Sequence, residues 1–151
     1  MARFSVIKVF FDSSVLVAAC ASETGASAYL LGLCKQKKIQ GFVSLDSIGE
    51  ARKNVNLKLG KVGKTRLIAY LKLANLILTS SPTPEEIAEC ERAIFVKDAP
   101  ILAAAIKSSV LYLVTLDRKH FFQAKVIKFA ELLKIITPGE LLKLLREKAI
   151  F

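Results

Sequence analysis

Short apolar runs alternate with longer helical patterns along the whole chain. The runs at residues 7–11, 42–44 and 111–115 are rich in β-branched and aromatic side chains, which predicts buried strands. Two shorter apolar runs, near residues 77–79 and 133–136, are predicted to be short strands as well. Because strands that alternate with helices form parallel sheets, the order of elements predicts an α/β fold.

Helices are predicted between these strands. They are expected from Ser13, from Gly25, twice between residues 45 and 76, near Glu85, at Asp98, as one turn from Arg118, and over residues 138–148. No linker, repeat or low-complexity stretch divides the 151 residues. We therefore expect one domain over residues 1–151, a three-layer α/β/α sandwich with a short, mainly parallel central sheet.

The final predicted helix carries a broad apolar stripe. Pro138 is favourable in its first turn, and the stripe consists of Leu141, Leu142, Leu144 and Leu145. This stripe packs either on its own domain or on a second subunit. The second alternative is the basis for an expected homodimer.

Acidic residues stand at the ends of the predicted strands and near the starts of helices. Three of the four aspartates are in such places: Asp12 and Asp117 each follow a strand, and Asp98 begins a helix. Glu50 lies about two turns into another helix. Taken singly, these acids have ordinary roles as helix caps, turn residues or solvated charges. In a parallel sheet, however, acids at the carboxyl ends of different strands converge in one crevice, and capping does not explain that convergence.

A cluster of carboxylates needs a positive partner. Unpaired, the groups repel one another and their pKa values rise, so a metal ion or neighbouring Lys and Arg must keep them ionised. Carboxylates without accompanying His or Cys ligands select Mg²⁺ or Mn²⁺ rather than Zn²⁺. Such a cation assists phosphodiester hydrolysis by generating hydroxide and neutralising the developing charge.

The pattern of these residues resembles the PIN-domain nucleases. Similar segments are residues 11–16, Ser44 with Glu50, residues 97–105 and residues 113–121, so the resemblance spans nearly the whole chain. The closing part is the most specific, because an aspartate precedes an alanine-rich helix and a strand then ends in Thr-x-Asp.

The resemblance implies a set of site residues and a substrate. The implied ligands of the divalent metal are Asp12, Glu50, Asp98 and Asp117. Thr115, with Ser13 or Ser14, is implied to support the site. The implied substrate is single-stranded or structured RNA, and many members are toxins of toxin-antitoxin pairs (VapC-like), which implies a protein antitoxin as partner.

Two positions depart from the family pattern. Many relatives carry asparagine two residues after the first aspartate, where this chain has Ser14. Some relatives carry an additional acid just beyond the fourth, where this chain has Arg118, Lys119 and His120. One metal ion with a weak or substrate-completed second ion therefore stays an alternative to two. The lone His120 is a candidate general base or ligand, but without a second histidine it is expected to be a packing or phosphate-contacting residue.

Charge supplies an independent indication of a polyanionic partner. The net charge is +10, and no acidic residue occurs from residue 51 to residue 84. We expect six basic residues of this segment to contact the RNA backbone, namely Arg52, Lys53, Lys58, Lys61, Lys64 and Arg66. The alternative is a solvated helix face, although such a face usually mixes both signs.

Other features narrow the functional classes. The apolar stretches are far shorter than a membrane span. Lys8 and Asp12 interrupt the apolar N-terminal stretch, which disfavours a signal peptide. The three cysteines are expected to be buried thiols of a cytoplasmic protein. The principal hypothesis is a Mg²⁺- or Mn²⁺-dependent endoribonuclease, and the alternative is a catalytically silent PIN-like RNA-binding or assembly module.

Overall fold

Five parallel strands form a sheet with the first strand at its centre. In the computed structural model, which describes residues 6–151, the strands are β1 Lys8–Phe11, β2 Gln40–Val43, β3 Ile77–Leu78, β4 Tyr112–Val114 and β5 Lys134–Ile136. Their spatial order is β3-β2-β1-β4-β5, and every neighbouring pair is parallel. The α/β prediction is confirmed, and the predicted strand ends are shifted by no more than about two residues, within the ordinary uncertainty of element boundaries.

Nine helices connect and follow these strands within residues 6–151. They are α1 Ser13–Ala21, α2 Ala26–Lys35, α3 Leu45–Lys58, α4 Gly60–Leu73, α5 Pro84–Glu91, α6 Ala99–Lys107, α7 Arg118–Phe121, α8 Ala124–Phe129 and α9 Pro138–Glu147. Helix α8 is not predicted from the sequence. In this part of the chain no single helix is long and apolar enough to cross a bilayer, and α1 and α2 meet that test only as a pair bent by 100°.

Alternate side chains of the strands face two different helical layers. In β1, Val9 and Phe11 belong to a core cluster that includes residues of α1, α2 and α9. Phe10, between them, belongs to a second cluster with residues of α6, α7 and α8. Because side chains alternate across a strand, this division places helices on both faces of the sheet and confirms the three-layer sandwich.

The apolar stripe of α9 packs on its own domain. Leu141 and Leu145 are fully buried, and Leu142 and Leu144 pack partly buried against the same cluster. Of the two alternatives for this stripe, the structure therefore supports the intramolecular one. The homodimer stays a prediction, and the apolar stripe of α9 no longer supports it. The three cysteines are buried free thiols, as predicted.

The order of the strands determines where a site can form. From the central β1 the chain builds β2 and β3 on one side, and it then returns to build β4 and β5 on the other. In open parallel sheets, the crevice at the carboxyl ends of two such central strands is the usual binding position. Asp12 follows β1 directly, and its N–H donates to the carbonyl of Val114 in β4 at 3.0 Å. The first acid thus lies at this position.

We predict that Gly41→Ala lowers the stability of the fold. A methyl group at Gly41 would lie 2.7 Å from Phe11 Cε2, 2.7 Å from Leu76 Cδ2 and 3.0 Å from Cys34 Sγ. Overpacking of this kind costs about 1 to 3 kcal/mol. The matched control is Gly32→Ala in α2, where the added methyl meets nothing within 4 Å. That change should be neutral or stabilising by about 0.5 to 1 kcal/mol. Urea unfolding measures both, and equal midpoints for the two variants would contradict the packing around β2.

Candidate active site

The carboxylate of Asp12 is fixed through one of its two oxygens. Its Oδ2 accepts hydrogen bonds from the Thr115 hydroxyl at 2.8 Å, the Ser14 hydroxyl at 2.6 Å and the Ser14 N–H at 3.4 Å. Its Oδ1 accepts at most one long bond, from the Ser13 hydroxyl at 3.5 Å. Asp12 is only 3% exposed, so these bonds replace water at Oδ2 and leave Oδ1 available for a ligand.

Two hydroxyl groups join the end of β4 to the start of α1. The Thr115 hydroxyl that donates to Asp12 also accepts from the backbone N–H of Asp117 at 3.1 Å. The Ser14 hydroxyl likewise accepts from the N–H of Leu116 at 3.0 Å. Each hydroxyl therefore donates to the first acid and accepts from the segment that carries the fourth. This arrangement sets the separation of Asp12 and Asp117.

Glu50 approaches the first acid through Ser13. The Ser13 hydroxyl lies 3.3 Å from Glu50 Oε2 and 3.5 Å from Asp12 Oδ1, and its single proton can serve only one of them. Burial is the main cause that raises the pKa of Glu50, and the charge of Asp12 adds to it. The bond from Ser13 and the charge of Lys97 lower that pKa. Glu50 is therefore a partly buried acid that Asp12 makes harder to ionise.

Asp98 and Asp117 meet at the imidazole of His120. The His120 Nδ1 lies 3.0 Å from Asp117 Oδ2 and 3.2 Å from Asp98 Oδ2. One ligand atom from each of the three residues lies within 4.8 Å of the others, the spacing of a candidate metal site. Asp117 also caps α7, because its Oδ1 accepts from the His120 N–H at 3.1 Å. Asp98 stands at the start of α6 but makes no capping bond.

The pKa of Asp98 shows that the four acids form one electrostatic group. Burial is the largest cause that raises this pKa from its ordinary 3.8 to about 6. The neighbouring His120 opposes the rise. The rise is reinforced by the negative charges of the other three acids, Asp117, Asp12 and Glu50. The sequence expectation that these four residues gather at one end of the sheet thus agrees with their placement.

The residues present fit a divalent cation. Asp98 Oδ2 is buried and has no hydrogen-bond partner of good geometry among residues 6–151, although His120 is close to it. Leaving a buried acceptor unsatisfied costs about 1 to 3 kcal/mol. This oxygen and the carboxylate of Asp117 lie at metal-site spacing and are donors that suit a hard cation, and the available Oδ1 of Asp12 is a further oxygen for the same ion. His120 adds one nitrogen, which Mn²⁺ accepts more readily than Mg²⁺.

His120 belongs to this group, although the sequence favoured a packing or phosphate-contacting role over that of a ligand or general base. The expectation of a packing or phosphate-contacting histidine did not include its contacts with Asp98 and Asp117. A signal was present, because a histidine three residues after an aspartate in a first helical turn lies on the same side of the helix. Its contact with Asp98 could not be found in this way, since Asp98 begins a different helix.

The basic segment forms the hairpin of α3 and α4 that starts beside Glu50. Five of the six residues expected to contact RNA are exposed, namely Arg52, Lys53, Lys58, Lys61 and Lys64. Arg66 differs from them. Its guanidinium donates to the Cys20 carbonyl at 2.9 Å and pairs with Glu23 at 3.2 Å, so it joins α4 to the end of α1. We therefore do not assign Arg66 to the nucleic-acid surface.

A family model described as PIN domain matches residues 8–119, which is most of the chain. No curated protein sequence matches this one. Several solved structures share the fold. VapBC2 from Rickettsia felis, bound to a DNA fragment from its promoter, superimposes with a TM-score of 0.65 and 19% identity. That match covers 87% of this chain and 98% of the other.

Two further structures are similar to a comparable degree. PAE2754 from Pyrobaculum aerophilum has a TM-score of 0.62 and 21% identity, with 93% of this chain and 90% of the other covered. VapC20 from Mycobacterium tuberculosis, a sarcin-ricin loop cleaving toxin, has a TM-score of 0.56 and 17% identity. That match covers 74% of this chain and 91% of the other. At these identities the likeness concerns the fold.

We predict that Asp98→Asn stabilises the chain at high pH when a chelator keeps divalent cations away. The folded chain binds the proton of Asp98 more tightly than the unfolded chain does, so ionisation of this carboxyl opposes folding. At pH 8 the variant should be more stable by about 1 to 2 kcal/mol. The difference should shrink as the pH falls through about 6 and vanish below 3.8, where the wild-type carboxyl is neutral too.

Unfolding midpoints across this pH series measure the effect. The control is Asp46→Asn, since Asp46 is an exposed aspartate in the first turn of α3 and its replacement should change stability little at any pH. A variant at Asp98 that is less stable than the wild type at pH 8 would mean that this carboxylate is already well paired.

Proposed function

The chain belongs to the PIN-domain family, and we propose that it is a metal-dependent endoribonuclease that hydrolyses RNA phosphodiester bonds. The observation that carries the proposal is the gathering of four acids, in which a buried oxygen of Asp98 makes no hydrogen bond within residues 6–151 and has only the imidazole of His120 close to it. Each ionisation in such a group makes the next one harder, so a positively charged ligand would stabilise the ionised carboxylates. Mg²⁺ and Mn²⁺ are the cations that fit such a donor set.

The residues divide between holding a cation and managing protons. Asp12 Oδ1, Asp98 Oδ2 and the Asp117 carboxylate would hold the ion, and Glu50 would complete its surroundings. When bound, the ion supplies charge neutralisation at the phosphate and an acidified water. Thr115 and Ser14 keep Asp12 oriented by occupying its other oxygen. Glu50, whose pKa is raised, is a better proton acceptor than an exposed glutamate. Ser13 positions it.

The exposed cations of the α3–α4 hairpin would carry the RNA backbone away from the acids. Lys58 lies eight residues after Glu50 in α3, or about 12 Å along the helix axis at about 1.5 Å per residue. Lys61 and Lys64 follow in α4, just beyond the turn at Gly60. Several nucleotides on one side of the cleaved bond would therefore contact this segment. The net charge of +10 favours the same polyanionic substrate.

A role as the toxin of a toxin-antitoxin pair is part of the proposal. VapC20, which has the same fold, is a toxin that cleaves the sarcin-ricin loop, and VapBC2 binds a DNA fragment from its promoter. By analogy, we propose a protein antitoxin as the partner of this chain. Coexpression with the product of the adjoining gene tests this directly. A stable complex that suppresses RNA cleavage supports the toxin role, and free, uninhibited enzyme contradicts it.

We predict that Asp12→Asn abolishes RNA cleavage. The change removes one of the charges that hold the ion and weakens the oxygen facing it, so the rate should fall by about 100-fold or more. Cleavage of labelled single-stranded RNA with Mn²⁺ or Mg²⁺ measures this. The matched control is Asp46→Asn, the same substitution at the aspartate that lies exposed outside the cluster. Equal activity of the Asp12→Asn variant and the wild type would refute the site. A wild-type chain that binds RNA but cleaves none with any divalent ion would instead be a silent binding module.

We predict that replacing Lys58, Lys61 and Lys64 with Gln weakens binding to unrelated RNAs about uniformly. Each lost phosphate contact should reduce the slope of log affinity against log salt by about 0.7 for single strands. A salt series with an uncleaved RNA measures the slope. The control with the same loss of charge replaces Lys35, Lys37 and Lys38, which are exposed and precede β2 at the opposite end of the sheet. Equal slopes for the two triple variants would show that the hairpin charges form only a solvated face.

A further inference from the structure

An exposed aromatic ring stands beside the acid cluster. Phe95 is 54% exposed in the segment between α5 and α6, only three residues before Asp98. Its neighbour Val96 is 58% exposed, and the next residue, Lys97, is exposed as well. Two adjacent large apolar side chains in solvent gain nothing from the core of the fold. Of the two, Phe95 carries an aromatic face, and this ring stacks on a residue of the candidate site, which points to Phe95 as the side chain that contacts a ligand.

Phe95 is held in a fixed position by two different contacts. The N–H of Asp98 donates to the carbonyl of Phe95 at 2.9 Å, which closes a turn between the ring and the acid. The ring also stacks on the imidazole of His120, with centroids 5.1 Å apart and planes inclined by 15°. His120 in turn contacts Asp98 and Asp117. Phe95 is therefore linked to the acids twice, by the backbone hydrogen bond to Asp98 and by the stacking of its ring on His120.

We propose that Phe95 is the ring on which a nucleobase next to the cleaved phosphate stacks, so that His120, Phe95 and the base form one continuous stack. This inference rests on the proposed ribonuclease function and adds a specificity-determining residue to it. A base can enter such a stack only when it is unpaired, which restricts cleavage to single-stranded segments and loops. Because every base has an aromatic face, stacking tolerates many sequences. Lys97, exposed between Phe95's neighbour and Asp98, is placed to contact an adjoining phosphate.

The physical size of the effect makes it measurable. Stacking of one base on an aromatic side chain contributes about 1 to 3 kcal/mol, and about 1.4 kcal/mol corresponds to a tenfold change in affinity. An aliphatic side chain at position 95 would keep an apolar contact with His120 but lose the aromatic face. Comparison of Phe95→Leu with Phe95→Tyr therefore separates stacking from simple apolar contact.

The probe is a short oligouridylate with one central 2-aminopurine, whose fluorescence falls when the base stacks. Binding is measured in the Asp12→Asn background so that the probe stays intact. With Phe95 present, binding should quench the probe. Phe95→Ala and Phe95→Leu should each weaken binding about tenfold and remove the quenching, whereas Phe95→Tyr should keep both within about twofold. Val96→Ala, a change to an equally exposed neighbour in the same segment, should behave as the parent chain does.

Duplex affinity, thermal or urea stability and wild-type cleavage serve as comparisons for the single-strand measurement. Affinity for a fully paired RNA duplex should be the same with and without the Phe95→Ala change, and unequal unfolding midpoints would reveal a structural effect instead. Unchanged single-strand affinity and quenching in Phe95→Ala would overturn the inference. The proposed function is tested separately, because a wild-type chain that cleaves RNA while Phe95→Ala binds normally refutes the stacking inference alone. A wild-type chain that neither binds nor cleaves single-stranded RNA refutes both.

Discussion

Like charges must be held together at the end of a parallel sheet, and the rest of the site follows from how that repulsion is managed. Asp12 is stabilised by neutral hydroxyl and amide donors, all on Oδ2. These donors occupy Oδ2 and leave Oδ1 available to a cation. Asp117 is stabilised as a helix cap and by His120. Burial, reinforced by the charges of the neighbouring acids, raises the pKa values of Asp98 and Glu50.

The topology explains why the fold tolerates the repulsion among the four acids. Asp12 and Thr115 follow adjacent central strands that bury side chains on both faces, including Phe10, Phe11 and Leu113. A rigid sheet keeps the two ends at a fixed separation, and the hydroxyls of Thr115 and Ser14 lock the loops above them. The repulsion among the acids destabilises this end of the sheet, and the packing of the core beneath them compensates for it. Pre-organisation of the charged groups follows, which is the requirement for electrostatic catalysis.

The sequence predicted what depends on local pattern and missed what depends on contacts between distant elements. Strand and helix periodicity predicted the sheet, and acids at strand ends indicated the four residues that the structure brings near one another. Helix α8 escaped because six residues with one buried side chain carry too little periodicity. Arg66 was assigned to RNA because its partners, Cys20 and Glu23, lie far away in sequence. Phe95 precedes α6 and His120 follows β4, so no local sequence pattern predicts that their rings stack.

Anomalous diffraction from crystals soaked in Mn²⁺ tests the central claim most directly, because it locates the ion without reference to activity. The account predicts a peak with oxygens of Asp12, Asp98 and Asp117 within about 2.0 to 2.6 Å of it. It also predicts that the same peak is lost in Asp12→Asn crystals. Manganese that binds elsewhere on the chain, or that leaves these carboxylates uncoordinated at saturating concentration, would contradict the account.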